Sequence, residues 1–142
     1  MLTRADWAGL IPHAGRMDVL DRVLHWDNEC LQAEAMAPDA THPLARAGRV
    51  HAVHLCEYGA QAAAVHGALL ARAAHSAAPA GLLAALRAVR LHGQWIDAAA
   101  PLHIAVQRLA ALPEAVQYRF EVAQLGATLA QGQVLIAFGA VP

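Results

Sequence analysis

The sequence predicts an α+β fold in which an antiparallel sheet of about six strands wraps around one long central helix. Three observations carry this. Residues 50–75 (VHAVHLCEYGAQAAAVHGALLARAAH) contain no proline, are dense in Ala and Leu, and run long enough for a helix spanning most of a small domain. Val50, Val53, Leu55, Val65, Leu69 and Leu70 point in several directions around that helix. That is the pattern of a helix enclosed on nearly all sides, whereas a surface helix shows a single apolar stripe. Finally, two strand-like segments precede the helix and about four follow it, each bounded by turn residues.

In chain order, Thr3 is placed to N-cap a short helix that ends before Pro12. Gly15 allows a turn, and Met17 to Trp26, rich in Val and Leu, reads as a strand. Asp27, Asn28 and Glu29 form a polar turn, and Cys30 to Ala37 is the returning strand, stopped by Pro38. Pro38 to Arg49 has Pro, Asp, Thr and Gly and no periodicity, so it is a loop. It carries His42, held extended by Pro43, and leads straight into the helix. Ser76 to Gly81 ends the helix. Strands follow at Leu82 to His92, Leu102 to Leu112, Val116 to Ala123 and Thr128 to Phe138. The first two are joined by a Gly93-to-Pro101 connection containing Trp95 and Asp97, the others by turns at Pro113 and Glu114 and at Leu125 and Gly126. Val116, Tyr118, Phe120 and Val122 share one side of their strand.

A chain of 142 residues is read as one domain, residues 1–142, with room for a real core. A formal net charge of −1, a pI of about 6.7 and the lack of a basic run argue against a nucleic-acid partner. All ten basic residues are Arg, which together with the heavy use of Ala reads as genomic composition bias. Cys30 and Cys56 lie far apart with no metal-ligand spacing and are expected to be free thiols in a reducing compartment. The first fifteen residues lack the apolar core of a signal peptide, and no apolar stretch of roughly eighteen residues is free of charge or His. A soluble cytoplasmic protein, with no membrane span, is the expectation.

Within the helix stands a carboxylate, Glu57, with His54 one turn before it and Gln61 one turn after. These positions share a face. A carboxylate on an otherwise buried helix is costly unless paired, hydrogen-bonded or protonated. The strand–loop–helix–strand arrangement fits the hotdog fold. Ile11, Pro12 and His13, followed by Asp21, Arg22 and Val23, resemble the L-P-H … L-x-D-R-V opening of 3-hydroxyacyl-acyl-carrier-protein dehydratases of the hotdog superfamily. Glu57, Tyr58, Gly59, Ala60 and Gln61 match their E-x-x-A-Q helix motif, and His42 precedes Glu57 by one residue more than in the fatty-acid-synthesis enzymes. The combination HPLARAGR … EYGAQ looks closer still to the divergent dehydratase-like proteins of aryl-polyene-type clusters. Two departures are visible. His42 is followed by PLARAGRVHA in place of F-P-G-H-P-V-M-P-G, and the family's glycine before the helix falls at Ala52.

The resemblance implies a lyase that removes water from a 3-hydroxyacyl thioester. That reaction needs one group to take a proton from C2 and another to protonate the departing C3 hydroxyl. Imidazole suits the first task because its ordinary pKa lies near neutrality. A carboxyl in an apolar channel, which tends to keep its proton, suits the second. On this reading His42 is the base, Glu57 the acid or hydroxyl-binding group, and Gln61 the residue that orients Glu57. Backbone N–H groups near Ala52 and Val53 would stabilise the enolate-like oxygen. The family completes its His–Glu pair across a dimer, so a homodimer is expected, pairing edge strands. No metal or other cofactor is expected, since the phosphopantetheine arm belongs to the substrate, an acyl-carrier-protein or coenzyme A thioester. Arg46 and Arg49 beside the loop, and Arg87 and Arg90 beyond it, are candidates to meet an acidic carrier.

The residues by themselves leave other readings open. His42 could fix a turn, Glu57 could be a structural carboxylate paired with an Arg such as Arg49, and Gln61 could be a satisfied core amide. Asp21 and Arg22 could form a local pair or an interface bridge. His51, His54 and Glu57 at successive spacings of three could face a metal, but H-E-x-x-H is absent and no second ligand cluster exists. Ser76, the only serine, stands in no nucleophile elbow. A hotdog acyl-thioesterase and a non-catalytic subunit of a hotdog heterodimer are the competing functions.

Overall fold

The computed structural model describes residues 1–10, 19–76 and 81–138. Readings that fall on Ile11, Pro12, His13, Gly15 and Met17, or on residues 77–80, lie outside the described residues. The elements run β1 (Leu2–Thr3), α1 (Arg4–Trp7), β2 (Arg22–Trp26), β3 (Cys30–Ala35), α2 (Leu55–Ala73), β4 (Gly81–Leu91), β5 (Leu102–Leu112), β6 (Ala115–Gln124) and β7 (Ala127–Phe138). All strand pairs are antiparallel, in one seven-stranded sheet of order β1-β2-β3-β5-β6-β7-β4. The additional strand is β1, whose two residues pair with Arg22 and Val23. Two residues are too few to show a period.

The sheet curls around α2 through alternation. Leu102, Ile104 and Val106 of β5, Tyr118, Phe120 and Val122 of β6, and Ala130, Val134 and Ile136 of β7 all turn inward and are buried. On α2 eleven positions, from Leu55 to Leu69, are buried, which is why that helix shows no clean polar face. At 19 residues it is about 28 Å long, enough to cross the curled sheet.

The helix does not begin at Val50. The Val50–Ala52 stretch is held extended against the β4–β5 connection: Ile96 N–H donates to Val50 O (3.0 Å) and Ala52 N–H to Gln94 O (2.9 Å). A single 3-10 turn, Ala52–His54, follows before α2 starts. The cross-pairing claims backbone groups that a helix would otherwise use, and so delays its start. The C-terminus is closed by a Schellman motif: His75 takes φ +54°, its N–H bonds Arg72 O (3.0 Å), and Ser76 N–H bonds Ala71 O (2.8 Å).

Asp21 and Arg22 do not pair with each other. Asp21 meets Arg4 at 2.7 Å and also accepts the Met36 N–H, while Arg22 pairs with Glu34 across the β2–β3 ladder. Cys30 is half-buried and Cys56 buried, and both are free. Among the described residues, no helix is long and apolar enough to cross a membrane.

Candidate active site

The loop from Pro38 to Arg49 folds back over the first turn of α2, and its own hydrogen bonds give it shape. Asp39 Oδ1 accepts the Thr41 N–H (2.8 Å) and hydroxyl (2.6 Å). His42 N–H donates to Asp39 O (3.0 Å), and Ala45 N–H to His42 O (2.9 Å). Leu44 N–H donates to the ring itself, at His42 Nδ1 (3.1 Å). His42 therefore does fix a turn, and in the neutral ring the proton sits on Nε2, because Nδ1 is accepting. At the end of the loop Arg46, Ala47, Gly48 and Arg49 form a tight hairpin turn, closed by reciprocal Arg46–Arg49 backbone bonds of 2.8 and 3.1 Å. Ala47 (φ +53°) and Gly48 (φ +76°) give it the left-handed geometry of a type I′ turn.

This fold-back builds a cleft within a single chain. Val19, Pro38, Leu44 and Val50 line it together with His42, His54, Glu57 and Tyr58. Residues 42 and 57 thus both border one small cavity, whose surface is almost wholly apolar. Glu57 is half-buried and so is not enclosed by the core. Tyr58 is buried, and its phenol pKa is pushed up to about 12, first by burial and then by the nearby Asp21 charge. It stays protonated at neutral pH and can only act there as a hydroxyl.

Gln61 lies fully buried one turn further along α2, where its Oε1 accepts the Val19 N–H at 3.0 Å. It ties a wall of the cleft to the helix. The two backbone donors expected for the carbonyl oxygen are engaged inside the chain. Ala52 N–H goes to Gln94 O, and Val53 N–H goes to His51 Nδ1 at 3.0 Å. His51 is thereby the cap of the 3-10 turn, and its ring meets Trp95 edge-on at 5.4 Å, so it does not join His54 and Glu57 on a common face. Among the described residues no group of three His, Cys, Asp or Glu could hold a metal ion.

Arg46 and Arg49 are exposed. Arg49 lies over the Trp95 ring at 4.0 Å, a cation–π contact that pins the loop end to the β4–β5 connection. That connection is itself held by buried Gln124, whose amide donates to Asp97 O and Ala100 O (2.8 Å each) and accepts the Asp97 N–H at 3.1 Å. Arg87 and Arg90 are exposed on β4.

Sequence reasoning missed a buried imidazole. His66, fully buried, has Nε2 2.7 Å from Asp27 O and Nδ1 2.6 Å from the Tyr118 hydroxyl. A carbonyl can only accept, so Nε2 carries the proton and Tyr118 donates to Nδ1. Burial lowers the pKa of His66, keeping it neutral, and raises that of Tyr118 to about 12. The network crosslinks α2, β6 and the β2–β3 turn and stands apart from the cleft. Only its position on a helix buried all round could have hinted at it.

Comparison with known proteins bears on the family and the fold. Residues 5–138 match the family described as ApeP-like, ApeP dehydratase. Among solved structures, the chain is similar to a protein of the dehydratase heterocomplex ApeI:P from Xenorhabdus doucetiae, with a TM-score of 0.83 and 20% identity, covering 92% of this chain and 89% of that one. It is also similar to the TT0310 protein from Thermus thermophilus (TM-score 0.63, 18% identity, 95% and 97% covered). A hypothetical thioesterase with coenzyme A from Streptococcus pneumoniae TIGR4 shares the fold at 9% identity (TM-score 0.63, 84% and 85% covered). No curated protein matches the sequence. The seven-stranded sheet around one helix is the hotdog arrangement expected from the sequence.

Proposed function

This chain belongs to the ApeP-like dehydratase family, and we propose that it acts as a 3-hydroxyacyl thioester dehydratase in polyene- or fatty-acid-type chain building. The observation that supports this is that His42 of the loop and Glu57 of α2 border the same small cavity. An imidazole of the cleft takes a proton from C2, and the carboxyl of Glu57 holds the C3 hydroxyl and supplies the proton with which it leaves. The apolar wall of Val19, Pro38, Leu44 and Val50 excludes water from the acyl chain, and Gln61 supports that wall through Val19. The substrate brings its own phosphopantetheine, so the reaction calls for no cofactor of the protein.

The exposed guanidinium groups of Arg46 and Arg49 suit an acidic acyl carrier protein at the cleft mouth. The edge strand β4, with Leu83, Leu86 and Leu91 exposed, suits pairing with a second hotdog chain. The name of the Xenorhabdus structure, a heterocomplex, supports a second reading in which this chain is the non-catalytic half of such a pair.

Incubating the pure protein with 3-hydroxyacyl and enoyl carrier-protein thioesters, followed by mass spectrometry, separates the readings. Dehydration removes one water and leaves the thioester intact, whereas hydrolysis releases the thiol. Glu57→Gln is expected to reduce dehydration by about a hundredfold or more. Turnover that appears only with a second hotdog protein, and that Glu57→Gln leaves unchanged, selects the non-catalytic reading.

A further inference from the structure

We propose that Gln124, the last residue of β6, is a positioning residue for the reaction, acting on the loop–helix junction through the β4–β5 connection. The proposal rests on the dehydratase reading above and names what holds the entry to α2 in place. Three polar side chains are buried among the described residues: Gln61, His66 and Gln124. Gln61 ties α2 to Val19, and His66 ties it to β6 and the β2–β3 turn. The bonds of Gln124 go instead to an irregular stretch of chain. Its Nε2 lies 2.8 Å from both Asp97 O and Ala100 O, and its Oε1 accepts the Asp97 N–H at 3.1 Å. The partners fix the amide orientation, since the reverse would set its oxygen against two carbonyls. Both amide hydrogens and the oxygen are engaged, as the cost of burying an amide requires.

With strands in the order β5-β6-β7-β4, the chain leaving β4 must cross the ends of β7 and β6 to reach β5. On that crossing it meets the segment before α2 in a single antiparallel step. Ile96 N–H bonds Val50 O (3.0 Å), Ala52 N–H bonds Gln94 O (2.9 Å), and His51 stands opposite Trp95. Trp95 also carries the Arg49 guanidinium at 4.0 Å and the edge-on His51 ring at 5.4 Å. These contacts set where the loop ends and where the 3-10 turn begins, and Val50 borders the same cavity as His42 and Glu57. Two backbone bonds are a weak tether, and they hold a position only if the other side is itself fixed. Ile96 and Ala100 anchor the connection by burial, but apolar contact is non-directional. The three bonds from Gln124 are directional, and they set the height of the connection over the sheet. A displacement of about 1 Å at a reacting group can cost on the order of a hundredfold in rate.

The test compares Gln124→Leu, Gln124→Glu and Tyr118→Phe with the wild type, in the full chain, on a 3-hydroxyacyl pantetheine thioester well below the melting temperatures. Gln124→Leu should lower kcat by about tenfold or more, with KM within roughly threefold. Tyr118→Phe loses a buried hydrogen bond of a network apart from the cavity, and should keep kcat within about twofold. That contrast separates positioning from lost stability. Gln124→Glu keeps an acceptor for the Asp97 N–H, but its carboxylate faces two carbonyls, and only the protonated form can donate to one. Its kcat relative to the wild type should therefore rise as pH is lowered, which a side chain that merely fills space would not produce. Should Gln124→Leu not fold, Gln124→Glu carries the kinetic test. Backbone amide exchange reads the linkage without substrate: Ala52 and Ile96 should exchange about tenfold faster in Gln124→Leu, beyond any change in β5. Three results overturn the role of Gln124 while the dehydratase reading stands: kcat of Gln124→Leu within roughly threefold of the wild type, an equal loss in Tyr118→Phe, or unaltered exchange at Ala52 and Ile96. A wild-type protein inert toward the thioester overturns that reading and the role with it.

Discussion

Gly59 and Gly67 lie on the same helix, two turns apart, and the same substitution should move stability in opposite directions at the two sites. A Cβ added at Gly59 would come 2.5 Å from Phe120 Cγ, 2.7 Å from Cδ2 and 2.8 Å from Cβ, where ordinary carbon contacts need about 3.5–4.0 Å. Something must therefore give by about 1 Å. The fully buried Phe120 ring cannot retreat, because it is backed by Gly132 of β7, where an added Cβ would sit only 3.1 Å from Phe120 Cε1. The ring occupies a slot between two glycines, one on the helix and one on the neighbouring strand. Overpacking of this kind costs about 1–3 kcal/mol, and replacing a mid-helix glycine by alanine returns up to about 1 kcal/mol. With the ring pinned, the cost falls at the upper end, for a net loss of about 2 kcal/mol in Gly59→Ala and a Tm lower by roughly 5–8 °C. At Gly67 nothing lies within 4 Å, so Gly67→Ala gains about 0.5–1 kcal/mol from helix propensity alone. Urea unfolding followed by circular dichroism, with matched thermal melts, reads both. If the two variants shift the midpoint the same way, helix propensity dominates and the slot argument is wrong.

Tyr118→Phe removes the hydroxyl that donates to buried His66 Nδ1 and should cost about 1–3 kcal/mol in urea unfolding, with little change in secondary structure. The same imidazole gives stability a pH dependence. Burial holds the native His66 below its ordinary value of 6.5, so as pH falls through that value the unfolded chain takes up a proton that the native ring refuses. Its contribution is complete above the unfolded pKa and is lost on acidification toward the lower native one, with a slope of up to about 1.4 kcal/mol per pH unit. Urea midpoints measured at about pH 7.5 and pH 5.5 should fall more for the wild type than for His66→Gln, which is less stable throughout but lacks this titration. An equal fall in both would show that His66 is not the group responsible. Gln61→Leu should destabilise by about 1–2 kcal/mol by stranding the Val19 N–H, and amide exchange at Val19 should rise beyond that of the β5–β7 core. Unchanged exchange at Val19 would mean that the amide has another partner.

The strands were legible wherever one face is wet and the other dry. β5 is read from the sequence with the ends it has in the structure, Leu102–Leu112, and β6 and β7 to within a residue at each end, because alternation of Leu, Ile, Val and Phe with polar residues encodes which side meets the helix. The I′ turn at Leu125 and Gly126, with φ of +52° and +77°, was visible through its glycine. The start of α2 was not legible. Nothing local in VHAVHL separates an extended stretch from a helical turn. What decides it is a pairing with Gln94 and Ile96, some forty residues downstream.

The candidate site divides in the same way. Residue types and their order along the chain brought out His42, Glu57 and the face shared by His54, Glu57 and Gln61, because a polar group on an enclosed helix stands out against the cost of burying it. Which nitrogen of which imidazole keeps a lone pair, and which backbone N–H groups are already spent, depends on bonds from Leu44, His51 and Gln94. Spacing carries no record of these, since a hydrogen bond is settled by the direction of a donor and a distance of about 3 Å. By itself the sequence determined the hotdog frame and the side chains that could do proton chemistry. Only the folded chain decided which of them are committed to holding it together, because each ring nitrogen and each N–H can serve one partner at a time.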